Sequence, residues 1–309
     1  MESLGFNGQR QDPTPSEPPW YLAYGRYYGK GPEGQKGYLL PIDAEELDRL
    51  DRLHKFFLVV RNDALCAYNF NLVHRARVLD LGTGTGIWAI ELCKELRQRI
   101  LEVVTVDINP VFLPYWIPPK LTPVKFDIEK PSWTGLEPPF DLAHVRTLWG
   151  SIANSCWEKV YRNILEHLKP GTGYFEQVEI NWYPEWDEDS RVPENSALRR
   201  WADKLHTSLD KCGRSARIKP AMVQTWIQDA GFVNIERTTI RCYWSPCSAD
   251  EREQEACKWL YACLRQTMEA LGLMPMIEQL GMTAAAVRDL CSQAEKEAGS
   301  LRNRGYFKL

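Results

Sequence analysis

Short apolar runs alternate with amphipathic stretches through the middle of the chain. Val78-Leu79-Asp80-Leu81 has the length and composition of a buried strand. Glycines follow at alternate positions 82, 84 and 86, and then Ile87, Ala89-Ile90 and Leu92-Cys93 recur at helical spacing. Strand-like runs return at Glu102–Asp107, Val124–Ile128, Phe140–Arg146 and Tyr174–Ile180, with a helical stretch from Cys156 to Leu168 before the last of them. Strands alternating with helices predict a mostly parallel α/β sheet. Prolines crowd the segment 110–123, so any helix there is short or absent. Further on, Phe232–Trp244 alternates as a sixth strand, and Gly305–Leu309 reads as a seventh, antiparallel one.

The same patterning sets the divisions of the chain. Residues 1–19 are polar and proline-rich, with little to bury, and read as a disordered tail. Residues 20–70 form an N-terminal covering segment. It opens on Trp20-Tyr21, Tyr24, Tyr27-Tyr28 and Tyr38, which either cover an edge of the domain or line the mouth of a site. A helix follows, with Asp43 and Glu46 as its capping box and Leu47, Leu50, Leu53-His54 and Phe57-Leu58 as its apolar stripe. The alternating acids and bases of Asp48–His54 place the charges of that run on the solvated side. Residues 71–181 hold the core, and 182–218 an inserted lid containing a helix from about Glu194 to Cys212. Residues 219–247 return to the core, starting with a helix that Gly231 ends. A helical insertion at 248–303 runs from Asp250, capped by Ser248, to about Gly272 and again from Thr283 to Gly299, before the last strand at 304–309.

Composition narrows the classes of function. A length of 309 residues supports a large core. A formal charge of −3 without a basic block argues against direct nucleic-acid binding. Nine cysteines, none in a C-x-x-C pair and with no histidines near Cys242/Cys247 or Cys257/Cys263, predict free thiols in a reducing compartment and no metal site. No membrane-length apolar run or leader is present, so the expectation is a cytoplasmic or nuclear protein away from membranes. Twelve tryptophans and thirteen tyrosines fit a dense core or an aromatic pocket equally well.

The chemistry sits in Asp80-Leu81-Gly82-Thr83-Gly84-Thr85-Gly86. Glycines let a backbone approach a ligand closely, and the free N–H groups of the following helix favour an anionic group. A dinucleotide loop has the spacing G-x-G-x-x-G, and its pyrophosphate would be badly placed beside Asp80. S-Adenosylmethionine carries both an ammonium and a carboxylate at its amino-acid end, which an acid and a ring of N–H groups suit. The loop resembles motif I of the class I S-adenosylmethionine-dependent methyltransferases. Asp107 lies about 20 residues beyond Gly86, where an acid accepts hydrogen bonds from a ribose. The resemblance implies that Asp127 bonds the adenine amino group with apolar neighbours packed on the ring. Lys169-Pro170-Gly171-Thr172-Gly173 resembles the turn that precedes strand five in that family. It implies a Rossmann-like class I fold with a seven-stranded, mostly parallel sheet. It also implies a cofactor site comprising Asp80, Gly82, Thr83, Gly84, Gly86, Asp107, Ile108, Asp127, Ile128 and Arg146.

A narrower resemblance extends over about residues 20–309. Gly37–Asp43, the Glu46–Asp51 helix with His54, Leu79–Ile90 with its Ile87-Trp88, Phe140–Arg146 and Leu168–Glu176 are similar to fungal LaeA-type methyltransferases. That family includes regulators of secondary metabolism and enzymes of biosynthetic gene clusters. The resemblance therefore implies either methylation of a small-molecule substrate, with an oxygen acceptor favoured, or a regulator acting with a protein partner. The short tail leans toward the pathway enzyme. A positioned, already activated donor needs a general base only for a weak nucleophile. The candidates are His144 on strand four and Glu176 on strand five, with Glu179 an alternative, and each also fits a structural role. Arg146 shares the face of His144 and has Asp107 and Asp141 as alternative partners, while Trp149 and Trp182 are candidates to stack on a flat acceptor.

Overall fold

A computed structural model describes residues 18–30, 36–109, 112–188, 190, 192–300 and 304–309; the expected tail lies almost wholly outside them. The chain begins with an antiparallel meander of β1 (Trp20–Ala23), β2 (Arg26–Lys30) and β3 (Lys36–Pro41). Helix α1 (Ala44–Val60) follows, with Asp43 accepting the Glu46 amide as N-cap. The same Asp43 carboxylate takes a two-pronged bond from Arg26 at 2.7 Å on each arm, which ties the meander to the helix. Then come β4 (Ala76–Leu81), α2 (Ile87–Glu95), β5 (Ile100–Asp107), β6 (Leu121–Lys125) and β7 (Leu142–Arg146). The second half holds α3 (Trp157–His167), β8 (Tyr174–Val178), β9 (Asn181–Trp186), α4 (Ala197–Lys211) and α5 (Pro220–Ala230). It ends with β10 (Arg241–Tyr243), α6 (Glu251–Leu280), α7 (Ala284–Ala298) and β11 (Gly305–Lys308).

Five strands form a parallel sheet in the order β6–β5–β4–β7–β8, so β4 lies at its centre. Alternation along β4 explains how the sheet is buried on both faces. Ala76 and Val78 face Trp88, Ala89 and Leu92 of α2, while Leu79 and Leu81 face Trp157, Tyr161 and Ile164 of α3. The expected single seven-stranded sheet is divided. β9, β11 and β10 make a second, antiparallel sheet in the order β10–β11–β9, and the final strand is antiparallel as anticipated. The break falls at Glu179 and Ile180, where the chain leaves the parallel ladder and the Glu179 carboxylate turns to the backbone of residues 148 and 149.

Three other local readings change. The alternating run from Phe232 forms a strand only at 241–243, just after Ile240 exchanges two backbone hydrogen bonds with Leu309, and Val233 is 79% exposed, because no strand among the described residues pairs with 232–239. Helix α6 does not stop at Gly272 but continues through Pro275 to Leu280, with Asp250 as its N-cap. At Gly272 the helix passes so close to α4 that an added Cβ would stand 3.3 Å from Trp201 Nε1 and 2.9 Å from Met276 Cε. The glycine there serves packing, not termination. Finally, the charged run of α1 is not all solvated. Arg49 and Glu46 are 4% and 3% exposed and form a two-pronged ion pair at 2.8 and 2.6 Å. They sit where α1 lies against α6, so Cys263 contributes to the surroundings of Arg49.

A buried pair of this kind is most costly when half of it is removed. Replacing Arg49 with Ala is expected to lower the unfolding free energy by about 3–5 kcal/mol in urea titrations. The Glu46→Leu/Arg49→Leu double variant recovers most of that loss.

Candidate functional site

β4 delivers Asp80 and Leu81 to the carboxyl edge of the sheet, and the chain then turns through Gly82, Gly84 and Gly86 at φ 72°, 54° and 73°. L side chains rarely adopt that region, which is why the turn requires glycine. The Gly82 and Thr83 amides donate to Val106 O at 2.8 and 3.1 Å, fixing the loop to β5, and Gly86 becomes the N-cap of α2. Asp80, 3% exposed, accepts from Thr83 Oγ1 at 2.6 Å and meets His144 Nδ1 at 2.9 Å. Asp107, at the end of β5, accepts the Gly84 and Asn109 amides at 3.0 and 2.9 Å. Its burial raises its pKa despite those bonds. The loop's backbone is thus presented between two aspartates from adjacent strands.

The expected residues divide into those that converge and those that do not. His144 is 1% exposed, lies flat on Trp88 with ring centroids 3.7 Å apart, and has no partner at Nε2. Glu176 lies 3.9 Å from that nitrogen, but both of its oxygens already accept, from Arg61 at 2.5 and 3.4 Å and from the Ala67 amide at 2.9 Å. A buried line Asp80–His144–Glu176–Arg61 therefore runs under the loop. Arg146 pairs with neither Asp107 nor Asp141; Asp141 instead bonds Lys169 and the Arg77 amide. Among the described residues the Arg146 guanidinium has only the ring of Phe57 beneath it at 4.8 Å, and burial lowers its pKa to about 10. Away from this cluster, Asp127 is exposed and accepts the Glu129 amide at 2.9 Å, and Ile108 is 41% exposed. Ile128 is buried with Trp133 and Leu136 in the core, and Trp182 packs on Phe307. Trp149 stacks on Trp157, and the Tyr38 hydroxyl bonds the Ser151 side chain near Asp107.

Sequence reasoning did not anticipate how much of the site comes from α1. Leu50 lies over Gly84, with 3.5 Å from its Cδ1 to where a Cβ would stand, and Asp51 accepts from Thr85 Oγ1 at 2.7 Å. His54 Nε2 meets Glu91 at 2.7 Å. Burial and the neighbouring Arg146 outweigh Glu91 and lower the His54 pKa to about 4, so the ring is neutral and donates to Glu91. Leu50 and His54, with Leu53, Phe57 and Arg146, line a cavity of about 40 Å³ against the glycine loop. Only the i, i+3, i+4 stripe through Leu50, Leu53-His54 and Phe57 signalled that this helix has a buried face; nothing local said what it covers.

The residues present suit the amino-acid end of a methyl donor. Arg146 is a half-buried cation with no anionic partner in bonding distance, and beside it stand a carboxylate and the backbone of a glycine turn. A parallel α/β sheet with this turn at its centre and an acid closing the next strand defines a class I methyltransferase. The family model described as a methyltransferase domain matches residues 49–237; the chain belongs to that family, and its cofactor is S-adenosylmethionine. Within it the chain is of the LaeA/LAE1 type. It is 41% identical over 289 residues to the secondary metabolism regulator laeA of Fusarium oxysporum f. sp. lycopersici, covering 94% of this chain and 90% of that one. It is 40% identical over 287 residues to the corresponding regulator of Gibberella zeae, covering 93% and 89%. Among solved structures it is similar to human N-acetylserotonin methyltransferase in complex with SAM, at 20% identity, 63% and 56% coverage and a TM-score of 0.38. No helix among the described residues is long and apolar enough to cross a membrane.

Glu179, beneath the loop after β7, gives the region a pH signature. Burial raises its carboxyl pKa to about 7, against hydrogen bonds from Gln177 and from the Leu148 and Trp149 amides. The folded chain therefore holds a proton that the unfolded chain has lost, and stability contributed below the ordinary glutamate range disappears as pH rises through about 7. Between pH ~4.5 and ~7.5 the wild type is expected to lose on the order of 2–3 kcal/mol relative to Glu179→Gln, measured by urea unfolding of both at each pH.

Proposed function

We propose that the chain transfers the methyl group of S-adenosylmethionine to an acceptor and that this activity serves regulation of secondary metabolism. The unpaired Arg146 beside the glycine loop carries the first half of this reading; likeness to the LaeA and LAE1 regulators over nine-tenths of both chains supports the second. The donor supplies a methyl already activated by its sulfonium, so orientation does most of the catalytic work. Arg146 holds the tail carboxylate and the glycine loop faces it with N–H groups. Asp80, kept in place by Thr83 and His144, meets the ammonium. Asp107 retains lone pairs for ribose hydroxyls while the Gly84 and Asn109 amides fix its orientation. Asp127, exposed and outside the cluster, is left for the adenine amino group, with the exposed Ile108 against the ring. Residues 182–218 cover the acceptor side; Arg214 in their last part bonds Glu129 and Ser151 O, in the segments that follow β6 and β7.

A second reading, O-methylation of a small molecule with His144 as base, is favoured by the free Nε2 of that ring. Its burial between Trp88 and Asp80 favours a role for His144 and Glu176 in holding the floor of the site. Complex formation with a regulatory protein belongs to the first reading.

Titration with S-adenosylhomocysteine tests the donor site. Arg146→Ala, removing a charge-assisted bond, is expected to weaken binding by about 10- to 100-fold, and Asp107→Ala to weaken it as well. Unchanged affinity in both contradicts the assignment. Metabolite profiling after deletion of the gene separates the two functional readings. Loss of several unrelated product classes, unrestored by Arg146→Ala, fits regulation; a single product lighter by one CH₂ fits the small-molecule enzyme.

A further inference from the structure

Residues 147–150 leave β7 and cross the glycine loop on their way to α3. Their backbone is strained at one end: Thr147, β-branched, sits at φ 54°, and Gly150 at φ 91°. The segment is held down from below. Thr147 N donates to Val178 O at 2.9 Å. Glu179 accepts the amides of Leu148 and Trp149 at 3.1 and 3.2 Å and is itself braced by Gln177 Nε2 at 3.1 Å. Held this way, Leu148 is pressed onto Gly82. A Cβ built on that glycine would stand 2.4 Å from Leu148 Cδ2, so the leucine fills the space beside Gly82 into which a side chain would project. Leu113 stands over Gly86 in the same way, at 2.2 Å. What remains open beside Arg146 is about 40 Å³. That holds a few waters.

We propose that residues 147–150 gate the donor site. Leu148 blocks the path over Gly82 in the conformation seen, the donor enters when the segment swings away about Thr147 and Gly150, and Glu179 is the positioning residue that sets the closed fraction. The inference rests on the donor lying along the glycine loop. Two features of the segment fit a hinge. Three amide bonds hold the segment that contains the strained Thr147, two of them to the one Glu179 carboxylate. Trp149 moves with Leu148, and its ring now lies 4.6 Å from that of Trp157, a stack that opening would break. Affinity for a ligand that binds only the open form falls in proportion to the open fraction. Shortening Leu148 therefore raises affinity although it removes side-chain atoms from the site.

The test is calorimetric titration of the full chain with S-adenosylhomocysteine, together with stopped-flow tryptophan fluorescence. Leu148→Ala is expected to lower Kd by about threefold or more and to raise the association rate constant by a similar factor. Leu148→Met, which keeps the bulk, stays within about twofold of wild type. Glu179→Gln places an amide donor against a backbone N–H and shifts Kd and the association rate in the same direction as Leu148→Ala. Melting temperatures verify that each variant is folded. If wild type binds but Leu148→Ala binds no more tightly and no faster, the gate is wrong and the donor site stands. If wild type, Leu148→Ala and Glu179→Gln all fail to bind, the donor reading and the gate fall together. Binding by Leu148→Ala without binding by wild type supports the gate in its strongest form.

Discussion

The Asp80 carboxylate is the interaction on which the site depends. It is nearly inaccessible to water, and an ionised carboxylate in such a place costs several kcal/mol unless hydrogen bonds replace its hydration. Thr83 and His144 supply two of those bonds. The first reaches three residues forward and closes the glycine turn; the second reaches across to the adjacent strand. One charged group thereby orients the loop and registers β7 against β4. The ring of His144 is in turn sandwiched by Trp88 from the helix that the loop begins. Loop, strand and helix are mutually determined, so the geometry persists without a ligand to organise it.

Around this floor the charges are arranged unevenly. Glu176 is matched by Arg61, and Glu91 by the neutral His54. Of the charges around this floor, Arg146 has no carboxylate within hydrogen-bonding distance, and burial lowers its pKa although Asp80 and Glu176 lie near enough to oppose the shift. A protein that keeps a desolvated guanidinium unpaired loses stability unless something else binds there. The energetic imbalance and the chemical expectation point to the same ligand group, a carboxylate. Helix α1 makes this possible by walling off water with Leu50, Leu53 and Phe57. It also carries the cost of Glu46 and Arg49, buried on the side facing α6.

Much of this was legible in the sequence where the signal was local. The strand–glycine–helix unit, its acid, the acid ending β5 and the helix caps at Asp43 and Gly231 are short-range patterns with direct physical causes. What escaped depended on contacts between distant segments. Arg49 looked like a surface charge because its partner is on its own helix, while the surface that buries it lies about two hundred residues away. Residues 232–239 alternate like a strand but find no edge to pair with among the described residues, since the ladder with the chain's last strand begins only at Ile240. Ile128, beside the adenine-side acid, turns inward because Trp133 and Leu136 offer it a dry pocket. The length of the tail, taken as a sign of a pathway enzyme, has no weight once relatives named as regulators align over about nine-tenths of their own length.

The central claim is that the glycine turn and Arg146 together hold the tail of the methyl donor. A crystal structure with S-adenosylhomocysteine tests it most directly. The account predicts the tail carboxylate about 3 Å from the Arg146 guanidinium, the ribose on Asp107, and Leu148 displaced from Gly82. A ligand bound elsewhere, or one whose carboxylate leaves Arg146 on Phe57 without a partner, contradicts it.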